Sequence, residues 1–148
     1  MLSKSDLLLL LLSADNGEPI RGKTRLMKLA YITTKELDKT IPLYKFRWHY
    51  YGPFSDELVD DLESLAQQGL INHSEEPIVS SHAIYVENVY SITEQGDHII
   101  QEKKSDPSFR KLLDIVSKIK WKYNNIPLPM LINEVYLNYP MKEQSCER

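Results

Sequence analysis

The sequence predicts a mostly helical α+β chain with one β-hairpin and two further helices towards its C-terminal end. Three observations carry that prediction. Apolar residues recur at helical spacing in several segments, as in Leu58, Leu62 and Leu65. The stretch from Tyr44 to Tyr51 alternates aromatic with polar residues at a period of two, which is a strand signal. Between Leu70 and Ile92 a polar strand-turn-strand stretch of two or three short strands has Ser80-Ser81-His82 as its tip. With 148 residues and 42% hydrophobic content, the chain can bury one core.

The elements follow in order. The apolar run Leu7–Leu12 is shorter than a signal-peptide core and far too short to span a bilayer. Ser3, Ser5 and Asp6 before it supply capping groups, so the run reads as a buried first helix from about Ser5 to Ala14. The turn Asp15-Asn16-Gly17-Glu18-Pro19 ends it. A second helix begins near Gly22-Lys23-Thr24 and carries Leu26, Leu29, Ala30 and Leu37, with Arg21, Arg25 and Lys28 together on another face. Pro42 breaks that pattern. After the aromatic strand, Gly52-Pro53 reads as a turn and Ser55 as the cap of a third helix. Acids fill that helix's first turn, as the helix dipole prefers, and Gly69 fits a left-handed C-terminal cap. Thr93 caps a helix to about Lys104. Asp106-Pro107 restarts another, lined on one side by Phe109, Leu112, Val116, Ile119 and Tyr123. A final helix spans Pro129 to Tyr139 before Pro140.

That order resembles a winged helix-turn-helix with a β-hairpin wing, a fold most often used to hold nucleic acid. The frame covers residues 1–104, and residues 105–148 form a two-helix C-terminal extension packed on it as one compact domain. By position the third helix is the recognition helix. It carries Asp56, Glu57, Asp60, Asp61 and Glu63 and no Lys or Arg.

A more specific resemblance rests on four stretches. They are Gly22-Lys-Thr-Arg-Leu26-Met-Lys-Leu29-Ala-Tyr31, the strand Phe46 to Tyr51 with Gly52-Pro-Phe-Ser55, Leu65 to Ile71, and Leu131-Ile-Asn-Glu-Val135-Tyr136-Leu-Asn-Tyr139-Pro140. Together they resemble the Panacea (SocA-like antitoxin) group and the YwgA-like bacterial and archaeal proteins. The resemblance implies a compact helical fold and, in the Panacea group, a role in neutralising a toxin by contact, often from a two-gene operon. It brings no catalytic residue.

Charge is segregated. Between Arg21 and Arg47 lie eight basic residues against Glu36 and Asp38, whereas Trp48 to Glu76 holds seven acids and no Lys or Arg. Seven basic residues return between Lys103 and Lys122. Such blocks are commonly solvated faces. If the partner is double-stranded DNA, Arg21, Lys23, Arg25 and Lys28 are the phosphate contacts. Five carboxylates on the reading helix oppose that, because like charges brought together cost several kcal/mol in interfaces. If the partner is a protein, Phe54, Asp56, Glu57 and Asp60 form the contact, with Trp48, Tyr50 and Tyr51 as further aromatic anchors. An alternating strand more often points its aromatics into the core. The sequence favours a protein partner, such as a basic toxin from an adjacent gene, over a transcriptional regulator binding DNA.

Enzyme signatures are weak. His49, His73, His82 and His98 do not share a metal-ligand spacing, and the five glycines stand apart rather than cradling a phosphate. Ser80 and Ser81 lack a nucleophile-elbow setting. No catalytic residue, metal or cofactor is expected. The single cysteine, Cys146, fits a reducing cytoplasmic setting in a prokaryote, with no membrane association. The amphipathic segment Ser108–Tyr123 is apolar enough to pair with its copy in a homodimer.

Overall fold

The computed structural model describes residues 3–37, 44–49 and 52–140. In these the chain forms α1 (Lys4–Gly17), β1 (Ile20–Arg21), α2 (Lys23–Glu36), β2 (Arg47–His49), β3 (Gly52–Phe54) and α3 (Asp56–Gln67). Then come β4 (Ile71–Val79), β5 (Ile84–Ile92), α4 (Glu94–Lys103), α5 (Pro107–Tyr123) and α6 (Leu128–Asn138). The protein is α+β and mostly helical, as the sequence predicts.

The first helix is the centre of the core. A helix that is apolar all round must be covered on every side, and Leu7 through Leu12 are all buried. Ser3 and Asp6 form a reciprocal capping box at its start. The Asp6 carboxylate also accepts two 2.8 Å bonds from Lys103 Nζ, tying α1 to the end of α4. Helical geometry stops at Ala14, where ψ is 159°, and Asp15, Asn16 and Gly17 follow in left-handed conformation. The carbonyls left over at that end are met by a side chain from far along the chain. Lys120 on α5 is fully buried and donates to Leu12 O at 3.1 Å and Ala14 O at 2.7 Å.

Two small antiparallel sheets flank the helices. The larger has the order β1-β5-β4, with Ile20 opposite Tyr90 and Arg21 opposite Val89. β4 and β5 are nine-residue strands joined at Ser80-Ser81-His82, longer than the short strands read from sequence. The two-residue β1 lies between the predicted turn, which ends at Pro19, and the second helix, where the sequence places no strand. The smaller sheet corrects a second expectation. Gly52-Pro53 is no turn but the start of β3, with Trp48 opposite Pro53 and His49 opposite Gly52. The connection at 50–51 lies outside the described residues, as do Pro42 and Cys146.

The C-terminal helices belong to the same cluster of buried residues. Phe109, Leu112, Val116, Ile119 and Tyr123 of α5 all join it, as do Leu131 and Val135 of α6. The stripe expected to seam a homodimer is therefore spent inside the chain. A helix face that covers the central α1 is not available to a second copy.

Candidate interaction site

The third helix is oriented by its own pattern. Ser55 Oγ accepts from Leu58 N at 3.2 Å, and Leu58, Leu62 and Leu65 are buried. This turns Asp56, Asp60, Glu63, Ser64 and Gln67 outward. Its acids are not one bare field, however. Lys4 Nζ meets Glu57 at 2.6 Å and the Lys45 amide donates to the same carboxylate at 3.0 Å. The Lys4 hydrogen bond, seconded by that amide, lowers the Glu57 pKa. Arg47 reaches Asp56 at 3.4 Å and lies over the Phe54 ring at 5.2 Å. Tyr44 donates a 2.6 Å hydrogen bond to Asp61. Burial and then that carboxylate raise the Tyr44 pKa. Among the described residues, Asp60 and Glu63 make no ion pair, so the outward negative charge concentrates on them. Of the residues expected at a protein contact, Asp56 and Asp60 are exposed, whereas Glu57 and Phe54 are partly covered.

Three of the four cations expected at phosphate are engaged within the fold. Arg21 pairs with Glu76 at 2.9 Å and Glu87 at 3.5 Å, which raises its pKa. Arg25 donates to Tyr123 O at 3.0 Å, and burial lowers its pKa. Lys28 is only 1% exposed, and desolvation pulls its pKa down to about 8. It belongs to the interior, a correction to the expected basic face. The helical wheel placed it beside Arg25 without registering that β3 closes over it. A Cβ on Gly52 would sit 3.0 Å from Lys28 Nζ, and Gly52 has φ of +108°. Lys23 alone of the four keeps no partner among the described residues and borders a small cleft of about 130 Å³ with Thr24, Met27 and Pro53.

Of the strand expected from Tyr44 to Tyr51, the described residues form strand only over Arg47–His49, but two of its aromatics pack inward as alternation predicts. Phe46 packs edge-on against Tyr31 at 5.3 Å, and Trp48 against Tyr136 at 5.0 Å. Tyr50 and Tyr51 lie outside the described residues.

The sequence reading placed the wing but missed its exposed apolar surface. Along the hairpin, residues in register share a face. Ile71, Tyr90 and Ile92 put one face on the body of the protein, and the same face continues outward as Pro77, Val79, Ile84 and Val86. Val79 is 75% exposed, Ile84 73% and Val86 57%, with Tyr85 exposed on the opposite face. From Ile71 to Ile92 the only charged residues apart from histidine are Glu75, Glu76 and Glu87. Lys and Arg are absent from the whole span between Arg47 and Lys103. The apolar residues were visible as letters, but alternation reads as burial unless the length of the hairpin beyond the body is known.

No family model matches the chain. Over 106 residues it is 32% identical to an uncharacterized protein, YwgA, of Bacillus subtilis (strain 168). The match covers 70% of this chain and 59% of the relative, so the chain spans about three-fifths of that protein's length. Among the described residues no helix is long and apolar enough to cross a membrane.

Proposed function

We propose that this chain is a non-catalytic regulatory binding module on a winged-helix-like frame, acting in the cytoplasm on a basic protein partner in the manner of an antitoxin. The frame is supported by the order α1-β1-α2-β2-β3-α3-β4-β5, in which the β2-β3 pair is inserted between α2 and α3, the β4-β5 hairpin is the wing and β1 its third strand. Likeness to YwgA is in keeping with the YwgA-like part of the sequence resemblance, and the Panacea-like stretches supply the antitoxin reading.

One observation carries the choice of partner. The surfaces that would enter a DNA groove, α3 and the hairpin, hold acids and apolar residues and no cation. DNA affinity is dominated by phosphate neutralisation, each contact releasing counterions. Of the four cations that would supply such contacts, Arg21 and Arg25 are held by other groups and Lys28 is buried, which leaves Lys23. A basic partner finds the reverse situation, with Asp60 and Glu63 open on α3 and an exposed apolar tip beside them in sequence order.

Two measurements test this together. Purified protein titrated into labelled random duplex DNA at low salt is expected to show no saturable binding. Co-expressed with the product of the adjacent gene, it is expected to co-purify as a stoichiometric complex. Micromolar DNA binding that disappears in Lys23→Glu/Arg25→Glu would favour the transcriptional-regulator reading instead.

A further inference from the structure

The hairpin has two edges, and only one of them is guarded. Ser80 N donates to Ala83 O within the tip, and Gly22 N donates to Asn88 O on the β1 side. Peptide groups alternate along an antiparallel strand. The N–H and C=O groups of Ile84 and Val86 therefore point, like Asn88 O, towards the side where β1 lies. But β1 reaches only Val89 and Tyr90 before Gly22 turns into α2. Among the described residues, nothing pairs with the backbone of Ile84 or Val86 on that side. On β4 the same alternation turns Glu75, Pro77 and Val79 to the opposite edge. There Pro77 offers no N–H, a common way of blocking strand addition. The β5 edge, Ile84-Tyr85-Val86, has no proline and no charge.

We infer that the open β5 edge at Ile84–Val86 accepts an extended segment of the partner protein as an added strand, one that alternates apolar with basic residues. This rests on the protein-binding reading above and names its surface. The chain contains a two-residue example of such a segment. In β1, Ile20 lies on the face of Tyr90, and Arg21 lies on the opposite face, paired with Glu76 and Glu87. A partner strand continuing the line of β1 sets its apolar residues beside Ile84 and Val86 and its basic ones beside Tyr85 and Glu87. Main-chain bonds supply affinity and alternate side chains supply selectivity. Charge decides against a second copy as occupant. A second hairpin meeting this edge would bring Glu87 and no Lys or Arg, since none lies between Ile71 and Ile92.

The test uses the intact protein and a short synthetic peptide of alternating valine and lysine, with glutamate replacing lysine in a control peptide. The lysine peptide is expected to bind about tenfold or more tightly at low salt, since like charges suppress the wrong partner. Amide hydrogen exchange is expected to slow at Ile84 and Val86 in the bound protein. Protection appearing instead at Glu75 and Val79, or on α3, overturns the edge assignment and leaves the protein-binding reading standing. Failure of the lysine peptide to bind overturns the proposal, and micromolar binding of duplex DNA in the same preparation overturns the reading beneath it. Val86→Pro removes an outward N–H without touching the β4–β5 ladder and is expected to weaken peptide binding about tenfold or more, the loss of main-chain pairing. Val79→Pro, the equivalent change on the other edge, is expected to leave binding unchanged, and equal loss in both variants contradicts the assignment. Exchange protection in the unaltered protein decides the matter even where a proline variant does not fold.

Discussion

At the scale of single residues, two buried lysines link distant parts of the chain at an electrostatic cost. Lys120 spends its donors on the end of α1, so Lys120→Met leaves two carbonyls unsatisfied. It is expected to cost about 1–3 kcal/mol in chemical denaturation. Burial brings both the Lys28 and Lys120 pKa values down from 10.5 to about 8. Between those values the unfolded chain binds more protons than the folded one, so stability increases with pH across that range. Burial raises the pKa of Tyr31 and Tyr90 to about 12, so above about 10 unfolded tyrosines lose protons that the folded chain keeps. Thermal unfolding followed across this range is expected to show the midpoint rising from pH 8 towards 10 and turning down beyond it. The rise is expected to be shallower in Lys120→Met. Gly52 answers to both backbone and neighbour. With φ of +108° and Lys28 Nζ at the limit of contact, Gly52→Ala is expected to destabilise by about 1–3 kcal/mol.

At the scale of elements, what the sequence discloses depends on how local the cause is. Caps at Ser3, Ser55, Thr93 and Asp106 are decided within a few residues, and all four are present where the sequence places them. The two-residue strand β1 escapes because its partner, Tyr90, lies far along the chain. Lys28 and Lys120 escape for a similar reason, since their surroundings come from β3 and from α1. The helical stripe of α5 was legible, but whether it faces α1 or a second copy was not, because both need the same spacing. The acids of α3 were legible as a block; their pairing with Lys4 and Arg47 was not. This division locates the repulsive field on Asp60 and Glu63. The double variant Asp60→Asn/Glu63→Gln is expected to fold normally and to raise residual DNA binding a few-fold at low salt, measured by fluorescence anisotropy. No change would show that these two carboxylates do not set the preference.

At the scale of the whole molecule, charge is sorted by role. Lys4, Arg21 and Lys103 are drawn onto neighbouring acids and Lys28 and Lys120 inward, while Arg110, Lys111, Lys118 and Lys122 stay exposed on α5 and the stretch between Arg47 and Lys103 is left acidic and, at the wing, apolar. On the proposed function, such a distribution is expected to steer a basic macromolecule towards the wing and α3 and to keep a polyanion from those surfaces. The net charge of −3 alone conveys none of this, because the segregation rather than the sum sets the field. The most direct test is equilibrium binding of random duplex DNA, a few helical turns long, across a salt series. The account predicts an affinity no tighter than about 10⁻⁴ M, the weak end of the ordinary non-specific range, even at low salt. Tight binding with a steep salt slope, reduced by changing Lys23 and Arg25, would contradict it.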